Sequence, residues 1–174
     1  HSFLGNEVIS DIHLGDWGMP VAQIITYLEK NNIDIESIDS SQLEIIYPKA
    51  SKEYKEDKEF KSKAHEINKL LNNNDPVSLK IWKSIKDISI SSLEDNFKKL
   101  NHKFDYWLGE SDVNDLIPNM IEVLEKDKKV IRDDGALISA EDTDPKILIT
   151  KSDGSYLYIT TDLATILYRQ ENIG

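Results

Sequence analysis

ISDIHLGDWGMPVAQIITYL, residues 9–28, changes its pattern midway, and that change decides the fold. Val8, Ile9 and Ser10 read as a short strand. Residues 13–18 read as a polar, glycine-rich turn. Pro20 stands where a helix can begin, because its fixed φ and missing N–H suit a first helical turn. Val21, Ile24, Ile25 and Leu28 then fall at i, i+3, i+4 and i+7, one apolar face of a helix. Strand, glycine loop and helix in this order set a loop at the carboxyl edge of a parallel sheet, so an α/β fold is expected.

Outward from this unit, residues 31–101 become helical and highly charged. Leu43, Ile46 and Tyr47 predict a short helix that ends near Pro48. In residues 52–71, Phe60, Ala64, Ile67, Leu70 and Leu71 share one side. Asp75 before Pro76 reads as an N-cap and a first helical position. Leu79, Trp82, Ile85 and Ile88 make a further stripe, and residues 92–100 predict another short helix. From Phe104 the pattern changes. Phe104, Tyr106 and Trp107 read as strand, and Leu116, Ile117, Met120 and Leu124 as helix. Asp134-Gly135 predicts a two-residue hairpin turn. Ser152-Asp153-Gly154 predicts a second hairpin whose outgoing strand ends at Tyr158. Thr160 and Thr161 would cap a last helix with Leu163, Ile166 and Leu167 inward.

Bulk properties narrow the function. The 174 residues are enough for a sizeable core, and no apolar run nears the roughly 20 residues that span a bilayer. HSFLGNEVIS at the start lacks the basic and apolar regions of a signal peptide. A formal net charge of −11 argues against strong nucleic-acid binding by these residues alone, since phosphate contacts need cations. The absence of cysteine fits a reducing, cytoplasmic setting. Strand and helix patterns run close to both ends, which suggests a piece of a longer protein.

Two stretches carry candidate chemistry. In HLGDWG, His13 can donate to a phosphate or carboxylate, Gly15 and Gly18 allow close backbone approach, and Asp16 can orient a ligand. The alternative is a tight loop in which Trp17 anchors the core and Asp16 caps the helix. In KSDGSYLYITTDLATILYR, residues 151–169, Tyr158 and Asp162 are four apart across the expected strand–helix junction. A carboxylate there can take a planar guanidinium through two parallel hydrogen bonds, and a tyrosine can wall it. The alternative is Asp162 favouring the helix dipole from the first turn while Tyr158 packs. His65 and His102 lack a partner at metal-ligand spacing.

The blocks ISDIHLGDWG, YPKASKEYKED, FDYWLGES, DDGALIS and KSDGSYLYITTDLATILYR, in this order, resemble the catalytic region of bacterial-type arginyl-tRNA synthetase, a class I aminoacyl-tRNA synthetase. The resemblance spans essentially the whole chain. It implies a partial Rossmann-like catalytic fold from residues 1–30 and 155–174. Between them it implies a connective insertion, helical over 31–103 and mixed, hairpin-rich over 104–154. HLGDWG matches a block after the ATP-holding H-x-G-H signature, so His13 is not a damaged copy of that signature. Neither H-x-G-H nor the K-M-S-K-S loop occurs in the sequence, so these residues alone are expected to be inactive, with no catalytic residue and no tightly bound cofactor. The family's Y-x-T-x-D pattern matches Tyr158, Thr160 and Asp162, which implies that Tyr158 and Asp162 bind L-arginine. Many members carry an arginine where Thr161 stands, and no role is carried to it. His13, Gly15, Asp16, Trp17 and Gly18 would line the active site nearby. For the whole enzyme the resemblance implies L-arginine, ATP with Mg²⁺ and tRNA(Arg) as partners, and a monomer. A non-catalytic synthetase-like module that binds arginine or a protein partner is the alternative.

Overall fold

In a computed structural model, which describes residues 1–141, 144–152 and 154–173, the chain divides into two compact units. One comprises residues 16–104, the other residues 1–15 with 105–174.

The 16–104 unit holds four helices: α1 Met19–Lys30, α2 Ser40–Glu56, α3 Lys58–Asn72 and α4 Pro76–Lys99. Gly18 caps α1 at φ 82, a left-handed value that favours glycine. Val21, Ile24, Ile25 and Leu28 are buried as their spacing predicts. They form one core with Leu43 and Ile46 of α2, Ile67 and Leu71 of α3, and Ile85 of α4. Three boundaries differ from expectation. α2 runs through Pro48, because Pro48 faces solvent while Leu43, Ile46 and Ala50 continue the buried face on both sides of it. The charged run after it is broken at Asp57, whose backbone N–H closes α2 and whose carboxylate caps α3 at Glu59 N and Phe60 N. The two last helices are one, since α4 continues to Lys99.

The other unit pairs β1 Asp11–Leu14 with β2 Tyr106–Gly109 in parallel, Asp11 opposite Tyr106 and His13 opposite Leu108. β1 therefore starts after Ser10, and Val8 and Ile9 are exposed, contrary to the expected strand. Pairing fixes the start: Asp105 N and Tyr106 N donate to the Ser10 carbonyl, and Ser10 N donates to Asp105 Oδ2 at 2.7 Å. A short helix, α5 Glu110–Val113, follows β2, then α6 Ile117–Lys126. β3 Val130–Asp133 and β4 Ala136–Ser139 form the hairpin, with Asp134 and Gly135 both at positive φ, as a type I′ turn requires. β5 Leu148–Thr150 joins the other edge of β4.

The second expected hairpin is reduced to one bridge, Thr150 with Tyr156, and its turn residue Asp153 lies outside the described residues. Tyr158 does not end a strand; it opens the last helix, α7 Tyr158–Asn172. Thr160 makes the difference. Its hydroxyl donates to the Ile149 carbonyl of β5 and accepts from Leu157 N, so the chain turns into a helix at once. Thr160, Ala164 and Thr165 are buried and Leu163 and Leu167 half-buried, whereas Ile166 points outward. Ala164 joins Val113, Ile117 and Met120 in one core cluster; Val130, Leu137 and Ile149 form a second. Among the described residues no helix is long and apolar enough to cross a membrane.

Candidate functional site

α7 carries polar residues every fourth position on one side: Thr161, Thr165 and Arg169. On β1, Asp11 and His13 are two apart and share a face. Two strand residues rise about 6.6 Å and four helical residues about 6 Å, so the two series can match pair by pair. They do. Arg169 Nε and Nη2 donate to Asp11 Oδ2 at 2.9 and 2.7 Å. Thr165 Oγ1 lies 3.4 Å from His13 Nδ1. One turn further toward the start of α7, the Thr161 hydroxyl lies 3.4 Å from Glu110 Oε1 at the head of α5. Polar contacts thus run along α7 from the start of β1, at Asp11, to the turn after β2, at Glu110.

Tyr158 and Asp162 flank this seam, one turn apart on α7. Both are exposed, Tyr158 by 72%. Asp162 forms no hydrogen bond or ion pair among the described residues. It is not in the first turn, because α7 begins at Tyr158, and it caps nothing. The capping alternative is thereby removed. A free carboxylate one helical turn from an exposed tyrosine is suited to a cationic, planar donor.

The HLGDWG residues do different jobs. His13 lies within β1, not in a loop, and its Nε2 is buried without a hydrogen-bond partner. Gly15 is exposed, and a Cβ added there would meet nothing within 4 Å. Within the helical unit, Asp16 Oδ2 meets Lys86 Nζ at 2.7 Å, and the Asp16 carbonyl accepts from Trp82 Nε1 at 2.7 Å. Trp17 packs edge-on against Trp82, 5.1 Å between ring centres, and donates to Asn72 Oδ1. Trp17 anchors the core as the structural alternative predicts; Asp16 pairs with a lysine instead of capping α1.

The family described as tRNA synthetases class I (R), catalytic domain, matches residues 1–174. The chain belongs to this family. The arginine--tRNA ligase of Agathobacter rectalis is 36% identical to it over 189 residues, covering 97% of the chain and 32% of that relative. The arginine--tRNA ligase of Haemophilus influenzae is 35% identical, covering 98% and 31%. A solved arginyl-tRNA synthetase from Plasmodium falciparum superposes with a TM-score of 0.79 at 27% identity, over 97% of the chain and 29% of that structure. The chain spans about a third of the length of these relatives.

Sequence reasoning singled out Tyr158, Asp162 and His13 but passed over Asp11, Glu110, Thr161, Thr165 and Arg169 in this class I synthetase segment. The available signal was the spacing of four that sets Thr161, Thr165 and Arg169 on one side of the last helix. Among the described residues, no three His, Cys, Asp or Glu side chains stand together as a metal site.

Proposed function

We propose that this chain is the side-chain-selecting part of an arginyl-tRNA synthetase, an enzyme that joins L-arginine to tRNA(Arg) using ATP. The observation that carries the proposal is the unpartnered Asp162 carboxylate one helical turn from Tyr158. Asp162 receives the guanidinium through a two-oxygen fork, and Tyr158 supplies a hydroxyl and an aromatic wall. Lysine is rejected by geometry, because its ammonium is a compact point donor that cannot fill a planar fork. In the whole enzyme the arginine carboxylate attacks the α-phosphorus of ATP and pyrophosphate leaves; a terminal ribose hydroxyl of the tRNA then attacks the acyl carbon of the arginyl-adenylate and AMP leaves. The residues of this chain bind and orient the amino acid in that sequence. ATP accompanied by Mg²⁺ is a substrate of the whole enzyme, and no step through the ion is assigned to these residues. Gly15, beside His13 at the end of β1, borders the same site. Asp16 and Trp17 belong to the helical unit and make their contacts with Lys86, Trp82 and Asn72 inside it, as Gly18 does at the head of α1.

The test is aminoacylation by the whole protein that contains this chain, with arginine, lysine and citrulline, unaltered and as Asp162→Asn. Arginine-specific charging in the unaltered protein and a loss of about 100-fold or more in kcat/KM in the variant are expected, since a charge-assisted fork is removed. Charging that Asp162→Asn leaves unchanged would remove Asp162 from the site. A folded whole protein that charges no tRNA would replace the enzyme with an arginine-binding or interaction module.

A further inference from the structure

His13 has one ring nitrogen engaged and the other unmet. Nδ1 lies 3.4 Å from Thr165 Oγ1, while Nε2 is buried with no partner in the chain. The state of the ring follows from counting protons on Thr165. A threonine hydroxyl has a single hydrogen. Thr165 uses it on the Thr161 carbonyl at 2.8 Å. Its oxygen can then meet Nδ1 only as an acceptor, so Nδ1 carries the hydrogen. In the neutral imidazole Nε2 is consequently a bare acceptor. A buried acceptor that meets no donor is costly, and such atoms in folded proteins call for a partner.

The position of His13 indicates which donor. Thr165 follows Asp162 by three residues on α7, so both lie on one side of the helix, about a turn apart. A ring set against Thr165 is thus about one helical turn along α7 from the position of Asp162. A guanidinium has five N–H donors, and a carboxylate fork takes two of them. We propose that His13 Nε2 accepts an N–H from the guanidinium bound at Asp162, as a second acceptor in the site. This rests on the arginine reading of Tyr158 and Asp162. It gives His13 the opposite polarity to the donor role that residue type alone predicts. It also adds to discrimination, because an ammonium offers its hydrogens from one point and cannot span two separated acceptors.

The test is calorimetric titration of the whole synthetase with L-arginine and with agmatine, which keeps the guanidinium and lacks the carboxylate. The variants are His13→Phe, His13→Gln and Asp162→Asn, each checked for melting temperature. His13→Phe should raise Kd for both ligands about tenfold or more. His13→Gln sets an amide oxygen near the Nε2 position and should stay within about threefold of the unaltered protein. In the unaltered protein the His13 Nε2 nitrogen resonance should move on adding agmatine, a reading that needs no variant to fold. Three results would overturn the proposal: a folded His13→Phe that binds like the unaltered protein, a weakening for arginine with none for agmatine, or an unmoved resonance. Binding that collapses in Asp162→Asn yet survives in His13→Phe removes only the His13 role. Binding indifferent to Asp162→Asn removes the underlying arginine site as well.

Discussion

Asp16 and Lys86 meet at 2.7 Å with side chains only 8% and 15% exposed, far apart in sequence but inside one helical unit. The Lys86 ammonium also lies 5.4 Å from the centre of the Trp82 ring. Taking one partner away from such a pair leaves a charge where water reaches it poorly, which costs far more than the pair itself contributes. Lys86→Met should therefore lower unfolding free energy by about 3 kcal/mol, and Asp16→Leu with Lys86→Met together should recover most of it. Urea denaturation of the single and double variants measures this; a single variant within about 0.5 kcal/mol of the unaltered protein would make the pair a screened surface contact. None of this was legible in HLGDWG. The sequence leaves Asp16 between a helix cap and a ligand contact, because its true partner lies three helices away. Tyr158 and Asp162 were legible as a pair, since spacing of four is a local property. That Asp162 lacks an internal partner required the fold.

The helical unit is punctuated by aspartates. Asp39, Asp57 and Asp75 each accept backbone N–H bonds at the head of α2, α3 and α4. Each carboxyl is held below its ordinary value, Asp39 chiefly by the Ser41 hydroxyl, Asp57 by Phe60 N and Asp75 by Ser78 N. A lowered folded-state value means that the stabilisation is complete above the ordinary aspartate value of about 3.9 and is lost as pH falls through the lowered one. Helical ellipticity and melting temperature should accordingly hold from neutrality to about pH 4 and drop below it. Replacing all three by asparagine, which caps as well but does not titrate, should leave neutral stability nearly unchanged and flatten the acid limb. An acid limb of undiminished depth in the triple variant would assign acid sensitivity to other carboxylates. Asp75 was readable because Pro76 follows it after a run of asparagines. Asp57 was not, since it stands inside a run of charges and the apolar spacing resumes at Phe60 with no visible gap. Pro48 misled for a related reason: a proline breaks a helix only where its lost hydrogen bond matters, and at this position the freed carbonyl side faces water. Residues 92–100 read as a separate short helix, yet Ser92 sits within α4, and the Ser89 hydroxyl before it bonds back to the Ile85 carbonyl at 2.8 Å without ending the helix.

The two units differ in how their chains close. Residues 16–104 are one continuous stretch with a single core cluster, aspartate caps on three of its four helices, and the Asp16–Lys86 and Trp17–Trp82 contacts all inside it. Every contact that defines the unit lies within its own ends, and helical contacts are local, so its loop-closure cost is small. The other unit is built from two separated stretches. β1 finds β2 only after the whole helical segment has intervened, and the seam along α7 needs Asp11 and His13 from the first stretch. A parallel pair always demands such a crossover, and its closure entropy is offset only by contacts made at the end. Expressed alone, residues 16–104 should show a helical spectrum and one cooperative thermal transition. Residues 105–174 alone should keep the hairpin signal but lose cooperative melting, because β2 has no partner and Arg169 no carboxylate. Adding a peptide of residues 1–15 should restore part of the transition, and Asp11→Ala in that peptide should restore less. If 16–104 instead binds a hydrophobic dye and melts without a transition, the helical core depends on the remainder of the chain, and the division seen in the structure is one of geometry without independent stability.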